Sequence, residues 1–475
     1  MESVLLPGSS PIVTFRILFR AGSALDPKGQ EGVASLAAAM LAGGGSRNLS
    51  YEEIVKAMYP MATSFRSQVD KEVTAFMGET HVDNLDHYYR IIRDLLLNPG
   101  WRADDFTRLK DDAINYLKVS LRGNNDEELA KEQLYNFIYE GTPYGHENGG
   151  TIEALERITL DDVKSFYSAR YGTSRMLLGL AGGYPEGFPS QVDADFAGAL
   201  PSGNEAVLVL PQPKTISGLQ MQIIEKETRG TAVSLGFPIE ITRSHPDWPA
   251  LLVAQSYLGQ HRSSNSFLYK QMRQVRGLNY GDYAYIEYFP RGMFQFHPDP
   301  NLARQQQIFQ IWVRPVEPQN GLFALRMALY ELRKLVTSGM SLEDFESTRR
   351  FLTKFVNVLV ATQDARLGYA LDSRIYEIPE FPLYVKEQLN GLALEDVNRC
   401  IRRHLQPDDI KIVVVTQEAE SFRHAALEDS PSPMSYASPM PKDVLDEDKK
   451  IESYHLGFSP DHISVIAVDT VFQKS

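Results

Sequence analysis

The order of predicted strands and helices occurs twice along the chain, at a spacing of roughly 220–240 residues. The clearest pair of segments is "ITLDDVKSFYSARYGTSRMLLGLAG" at 158–182 and "LALEDVNRCIRRHLQPDDIKIVVVT" at 392–416. Each copy has an acidic helix start, an amphipathic helix, a break and an apolar strand. An internal repeat of this kind predicts two copies of one folding unit.

Two earlier pairs of segments extend the repeat. An acidic cap followed by a long helix is predicted at 102–121 and again at 341–360. An alternating strand, a polar loop and an apolar helix are predicted at 11–41 and again at 231–259. Both halves therefore share the order strand, helix, strands, helices, strand.

The chain has 475 residues, which is too long for one ordinary domain. We predict an N-terminal domain at 1–200, a linker rich in Pro, Gly and Ser at 201–217, and a C-terminal domain at 218–475. The tail at 427–475 begins with a proline-rich segment and ends in an apolar strand near 462–472. We expect this tail to lie extended across the second half.

Strands and long helices come in blocks without strict alternation, which favours an α+β fold. Each domain is predicted to be a mostly antiparallel sheet with helices packed on one face. Two such halves are expected to face one another, like the halves of a clam shell. The space between them is the expected ligand site.

Composition excludes several classes of function. The net charge is −13, and no cluster of Lys and Arg is present, so a nucleic-acid partner is not expected. Cys400 is the only cysteine, which excludes an intrachain disulfide. No apolar run of 18 residues occurs, so no membrane span is expected. These features fit a cytosolic protein, or an exported one whose signal has been removed.

The stretch "EGVASLAAAMLAGGG" at 31–45 predicts a buried helix with no reactive side chain. Together with the preceding residues, "FRAGSALDPKGQEGVASLAAAMLAGGG" resembles the start of the pitrilysin/insulinase family of zinc peptidases, also called the mitochondrial processing peptidase family. In that family this helix carries the inverted zinc motif H-x-x-E-H. The resemblance places Ser35 at the first His, Ala38 at the Glu base and Ala39 at the second His.

The third zinc ligand of the family is a Glu on a later helix, and the resemblance places Leu117 of "AINYL" at that position. A catalytic zinc needs two imidazoles and a carboxylate that converge, and none of these side chains can replace them. No two of the ten histidines are three or four residues apart. We therefore expect neither a metal nor another cofactor in this chain, with zinc held only by a partner. Close packing of small residues is a second, compatible explanation of "SLAAA".

A second signature lies in the other half, at "LYKQMRQVRGLNY". It resembles the family motif in which an Arg is followed seven residues later by a Tyr, here Arg273 and Tyr280. In the family this pair hydrogen-bonds the substrate backbone near the scissile bond. An ordinary alternative is an Arg that interacts with a helix C-terminus and a Tyr that begins a strand. Gly277 is predicted to end the helix, and Arg276 to be a solvated capping residue.

Three further segments are assigned provisional roles. Residues 61–76 resemble the edge strand on which family enzymes align an extended peptide. Tyr283, Tyr285 and Phe289 alternate along a strand, and they either line a chamber or belong to the core. His146 in "GTPYGHENGG" is expected at the surface.

The resemblance implies a non-catalytic subunit that pairs with a zinc-bearing homologue and binds unfolded or extended peptides. Arg273 and Tyr280 would orient the peptide for cleavage. One alternative is a homodimeric or stand-alone scaffold with no role in cleavage, and a weaker one is a hydrolase with an unrecognised site. A cell-envelope location is suggested only by analogy with bacterial relatives.

Overall fold

The computed structural model describes residues 2–200 and 208–474, so the first part of the predicted linker, residues 201–207, lies outside the described residues. The first half contains an open sheet in the order β1-β5-β2-β4-β3, in which only β1 and β5 are parallel neighbours. Its strands are β1 (Glu2–Pro7), β2 (Ile12–Phe19), β3 (Phe65–Val69), β4 (Thr74–His81) and β5 (Met176–Gly182).

The second half contains a sheet in the order β11-β6-β10-β7-β9-β8. Its strands are β6 (Gln220–Glu225), β7 (Thr231–Ile239), β8 (Asp282–Tyr285), β9 (Gln307–Val316), β10 (Lys411–Thr416) and β11 (Ile463–Ala467). Strand β6 runs parallel to both of its neighbours, and the remaining pairs are antiparallel. Apart from the added β11, the two sheets have the same strand order.

Helices follow the same repeated order. The first half has α1 (Val33–Gly43), α2 (Tyr51–Met58), α3 (Leu85–Leu97), α4 (Ala103–Asn115), α5 (Asp126–Ile138), α6 (Ile152–Arg157), α7 (Leu160–Arg170) and α8 (Phe188–Ala199). The second half has α9 (Trp248–Gly259), α10 (Gly321–Ser338), α11 (Leu342–Leu359), α12 (Gln363–Ile375), α13 (Phe381–Gly391), α14 (Leu394–His404), α15 (Ala419–Leu427) and α16 (Lys442–Glu452). The predicted α+β class with two similar tandem units is confirmed.

The acidic helix starts found in the sequence act as caps. At the start of α7 the Thr159 backbone N–H donates to the Asp162 carboxylate at 2.8 Å, and the Asp162 N–H donates back to the Thr159 hydroxyl at 3.2 Å. At the start of α14 the Ala393 N–H donates to the Asp396 carboxylate at 3.1 Å. Such caps satisfy backbone donors that a helix leaves unpaired, so they fix where each helix begins.

One helix of each half packs on the sheet of the other half. Helix α5 of the first half packs on strands β7, β9 and β10 of the second sheet, while α12 of the second half packs on β1, β2 and β5 of the first sheet. As a result, both faces of the second sheet are buried. On β10, Val413 and Val415 belong to the apolar cluster that contains residues of α5, and Ile412 and Val414 belong to the cluster on the opposite face. A cleft of about 920 Å³ lies between the halves.

The connection between β8 and β9 also joins the halves. It runs over residues 286–306, whereas the equivalent connection in the first half takes only residues 70–73. Arg304 donates from Nε to the Asp70 carboxylate at 2.8 Å and from Nη2 at 2.5 Å, and both side chains are buried. Arg16 donates from Nη1 to the Asn301 amide oxygen at 2.7 Å. These polar contacts fix the connection against the first half.

The C-terminal tail differs from the extended path that the sequence suggests. It contains α16, adds β11 to the edge of the second sheet, and then crosses to the first half. There the Ile152 N–H donates to the Phe472 carbonyl at 2.9 Å, and the Phe472 side chain is buried in the core of the first half. The tail therefore contacts both halves. Within the described ranges, we find no helix with the length and hydropathy needed to span a bilayer.

Candidate functional site

The helix that the resemblance assigns to the zinc motif is α1, and the Asp26 carboxylate fixes its start. Asp26 accepts hydrogen bonds from the Gly32 N–H at 2.6 Å and from the Ala34 N–H at 2.9 Å. Gly32 has φ = 110°, a conformation that favours glycine. This cap holds α1 against the sheet, as expected for a zinc helix, although the helix carries no metal ligand.

The four positions that the resemblance assigns to the zinc site make apolar packing contacts and one hydrogen bond. The Ser35 hydroxyl donates to the Asn148 carbonyl at 2.6 Å, and Ala39 is half-buried beside it. Ala38 and Leu117 are fully buried in the same apolar core. Leu117 lies in the wide π-type turn Tyr116–Leu121 that continues α4. Neither imidazole nor carboxylate is offered at these positions, so the residues present do not fit a catalytic zinc.

The lack of metal ligands extends beyond these four positions within the described residues. Across residues 2–200 and 208–474, no group of three or more His, Cys, Asp or Glu side chains could hold a metal ion. The packing at Ala38 and Leu117 explains this for the family position, because an apolar core has no donor atoms for Zn²⁺.

Zinc should therefore leave the stability of the purified chain unchanged. A ligand stabilises a protein only when it binds the native state, so added Zn²⁺ or EDTA should shift the melting temperature by less than about 1 °C. Differential scanning calorimetry measures this shift, and atomic absorption gives the metal content. About one tightly held Zn²⁺ per chain would contradict the account.

His146 was expected at the surface, and that expectation is wrong. Only 6% of the residue is exposed, and its Nε2 lies 3.3 Å from the Asp26 carboxylate. Lys71 donates to the His146 backbone carbonyl from the other side. Burial is the main cause that lowers the pKa of His146. The glycine-rich loop that contains His146 packs under the start of α1, a contact that the sequence spacing does not reveal.

The Arg and Tyr of the second half lie on either side of a tight helix end. The helix ends in a wide π-type turn, Tyr269–Val275, and Gly277 follows with φ = 66°. The Gly277 N–H donates to the Arg273 carbonyl at 2.9 Å. This left-handed residue is the helix-ending Gly predicted from the sequence, and it turns the chain so that Tyr280 returns toward Arg273.

The Arg273 guanidinium lies within cation–π range of two tyrosine rings. Its central carbon is 4.8 Å from the ring centre of Tyr269 and 5.6 Å from that of Tyr280. Nη1 donates to the Tyr280 carbonyl at 3.1 Å and also to the Tyr269 hydroxyl. Arg273 is half-buried, whereas Tyr280 is 74% exposed. The structure thus brings the predicted pair together at the surface.

Tyr269 was not selected from the sequence. It precedes Arg273 by four residues, and that spacing on a helix places two side chains on one face. The spacing alone is therefore a usable signal, but Tyr269 is not one of the two residues, Arg273 and Tyr280, by which the family motif is defined.

Asp282 is the carboxyl group closest in sequence to Tyr280, and it is fully buried. Burial is the main cause that raises its pKa to about 8. The Asn279 amide donates to it at 2.7 Å. Asp282 is therefore mostly protonated at neutral pH and contributes little negative charge near the Arg273 site.

Arg276 was expected to be solvated, and that expectation is wrong. Its side chain is buried, and it donates to Asp448 at 2.8 Å and to Glu447 at 2.8 Å. Both carboxylates belong to α16 in the tail. The tail helix therefore covers the motif at Arg276, and this contact between distant segments explains the burial.

The aromatic residues of the β8 segment belong to a small core. Tyr283, Tyr285 and Phe289 are at most 5% exposed and cluster with Trp312. His261 packs between these rings, with its Nε2 2.8 Å from the Gln295 carbonyl and its Nδ1 2.6 Å from the Tyr285 hydroxyl. Because a carbonyl only accepts, Nε2 carries a proton. Burial lowers the pKa of His261 to about 4, so the ring is neutral at pH 7.

This buried histidine should make the fold sensitive to acid. Burial lowers the pKa of His261 to about 4, so the unfolded chain binds the proton more readily than the folded one. Stability should fall as the pH drops from about 6.5 toward 4, by on the order of 2 kcal/mol from this group. Urea denaturation at pH 7.5 and pH 4.5 measures the loss. It should be smaller in His261→Gln, and an equal loss in both proteins would contradict the assignment.

The strand β3 at 65–69, within the segment that resembles the peptide-aligning strand, lies at the edge of the first sheet. Its equivalent β8, which follows Tyr280, lies at the edge of the second sheet. Edge strands present unpaired backbone groups with which an extended chain can pair.

Comparison with known proteins supports the assignment of the fold. A family model described as "Insulinase (Peptidase family M16)" matches residues 4–151, and one described as "Peptidase M16 inactive domain" matches residues 157–352. Together they cover well over half of the chain.

Individual proteins are similar to this chain over most of its length. A "Non-peptidase homolog YmxG" from Helicobacter pylori is 21% identical over 423 residues, covering 86% of this chain and 90% of that protein. A Pseudomonas fluorescens structure described as a peptidase M16 inactive domain is 22% identical with a TM-score of 0.76, covering 87% and 94% of the two chains. A chain of complex III2 from Candida albicans is 12% identical with a TM-score of 0.70, covering 89% and 96%. The chain therefore belongs to the insulinase (M16) family of peptidases.

Proposed function

We propose that this chain is the non-catalytic subunit of a paired metallopeptidase. It would associate with a zinc-bearing homologue, bind an extended peptide and orient it for cleavage. The observation that carries the proposal is the pairing of Arg273 with the exposed Tyr280 in a chain whose zinc positions are filled by Ser35, Ala38, Ala39 and Leu117. The two residues that would bind the peptide lie close together, while the positions assigned to the metal carry no ligand side chain.

The chemistry of the pair suits a peptide near its scissile bond. Arg273 is a permanent cation with several N–H donors in a fixed plane, and Tyr280 adds one hydroxyl donor at the surface. Such donors stabilise a negatively charged oxygen as it develops in the transition state. Because the guanidinium is already held by Tyr269 and by the Tyr280 carbonyl, little rotational freedom would be lost on binding.

The edge strand β3 would supply a second contact. A peptide that pairs with its backbone would be held by main-chain hydrogen bonds and with little sequence specificity. The hydrolytic step would belong entirely to the partner, because the described residues of this chain hold no group that binds Zn²⁺ at the family position.

A second candidate function is a homodimeric or stand-alone scaffold that binds peptides or serves assembly. Two comparisons favour it: the Helicobacter pylori relative is named a non-peptidase homologue, and the similar chain from Candida albicans is part of complex III2. In this case Arg273 and Tyr280 would contact a ligand or a neighbouring chain without affecting cleavage.

Reconstitution separates the two functions. A zinc-bearing homologue, sought first in an adjacent gene, is expressed alone and together with this chain, and light scattering measures the assembly. We expect a 1:1 heterodimer that cleaves unfolded peptides. A homodimer that does not exchange with the homologue would favour the scaffold instead.

A further inference from the structure

Arg273 is a half-buried cation with no counter-charge of its own. Among the described residues it makes no ion pair, in contrast to Arg276 three residues later, which has two. The protonated Asp282 supplies little charge. Partial burial of an unpaired guanidinium is costly, and the cost is recovered when an anion binds.

The hydrogen bonds that Arg273 does make leave one edge of its guanidinium free. Both bonds come from Nη1, one to the Tyr269 hydroxyl and one to the Tyr280 carbonyl. No described residue accepts from Nε or Nη2, which lie side by side on the other edge. That edge presents two parallel N–H donors, the arrangement that matches the two oxygens of a carboxylate.

The same chain uses this edge for carboxylates elsewhere. Arg16 donates from Nε at 2.8 Å and from Nη2 at 2.6 Å to Asp364. Arg304 donates from the same two atoms to Asp70. At Arg273 the equivalent edge has no partner among the described residues, so a carboxylate from another molecule could take the place that Asp70 and Asp364 occupy.

Tyr269 holds the guanidinium so that this edge stays free. Its hydroxyl accepts from Nη1, and its ring lies under the guanidinium. Tyr269 is itself packed against Gly281, where an added Cβ would lie only 3.1 Å from the ring. The ring therefore has little room to move, which limits the rotamers open to Arg273.

We propose that Tyr269, Arg273 and Tyr280 form a carboxylate-binding site, with Tyr269 as the positioning residue and the Nε–Nη2 edge of Arg273 as the bidentate donor. The ligand is a peptide that carries a carboxylate, either on a Glu or Asp side chain or at its C-terminus. The proposal rests on the proposed function only in taking a peptide as the ligand. A single carbonyl oxygen would engage this edge less well, because it offers no second oxygen.

Binding to the isolated full chain tests the site with three fluorescent, N-acetylated, alanine-rich hexapeptides. One has an internal Glu and a C-terminal amide, one has Gln and a free C-terminal carboxylate, and one has Gln and an amide. Fluorescence polarisation gives the dissociation constants. We expect at least one acidic peptide to bind about tenfold or more tightly than the neutral one, and the two acidic peptides distinguish the source of the carboxylate.

Variants then assign the roles. Arg273→Lys keeps the charge but loses the paired donors, so it should abolish the preference for the acidic peptide. Tyr269→Phe keeps the ring but loses the hydroxyl, so it should reduce that preference about 3–10-fold with no change in melting temperature. The exposed Arg229→Ala is the matched control and should change nothing.

Equal binding of all three peptides, no binding of any of them, or an unchanged preference in Arg273→Lys would overturn the carboxylate site. An unchanged preference in Tyr269→Phe would overturn the positioning role. These results are distinct from failure of the paired-peptidase proposal, in which peptides bind as expected but the reconstituted pair gains no cleavage.

Discussion

Replacing Arg273 by alanine should lower the kcat/KM of a reconstituted peptidase pair by about 10²–10³-fold. This is the loss found when one donor to a developing oxyanion is removed. The substitution leaves the helix end intact, because Gly277 and not the Arg273 side chain forms the turn. The measurement is the rate of cleavage of an unfolded peptide at substrate concentrations well below KM.

Tyr280→Phe tests the second donor in the same assay. It should lower kcat/KM about tenfold, because a neutral hydroxyl contributes less than a guanidinium. Matched controls are Arg229→Ala for the arginine and the exposed Tyr59→Phe for the tyrosine, and both should retain the full rate. Equal rates for Arg273→Ala and wild type would contradict a role of Arg273 in cleavage.

Replacing Arg304 by methionine should destabilise the chain by about 3–5 kcal/mol, because removal of one partner of a buried ion pair leaves the other charge uncompensated. The partner is Asp70, which is fully buried, and the Arg304 central carbon lies 3.6 Å from the ring centre of Tyr288. The pair joins the two halves. Urea denaturation followed by circular dichroism measures the loss.

An exposed pair provides the comparison. Lys214, in the segment that connects the halves, pairs with Glu140 of the first half at 3.2 Å, and both side chains are mostly exposed. Lys214→Met should therefore cost no more than about 1 kcal/mol. The double variant Asp70→Leu with Arg304→Met should recover much of the lost stability, since neither charge of the pair is then left without its partner. Equal losses for Arg304→Met and Lys214→Met would contradict the importance of burial.

The repeated architecture was predictable because it is encoded in local patterns. The cap at Thr159 and its equivalent at Ala393 fix helix starts through residues three positions away. The turn at Gly277 depends on one residue that tolerates a positive φ. Such signals act over a few residues, so the order of elements and the approach of Tyr280 to Arg273 follow from the sequence.

The errors concern contacts between distant segments. Arg276 is buried because α16, about 170 residues away, brings Glu447 and Asp448 to it. His146 is buried because its loop packs under α1 beside Asp26. The packing of α5 on the second sheet and of α12 on the first sheet also joins segments that are distant in sequence. An amphipathic pattern shows that a face will be buried, but not which sheet will cover it.

The most direct test of the account is a titration of the zinc-bearing homologue with this chain. We predict that cleavage of an unfolded peptide rises in proportion to added chain, saturates at one equivalent, and is absent for this chain alone. A homologue that reaches its full rate without this chain would contradict the account, as would cleavage by this chain in the absence of the homologue.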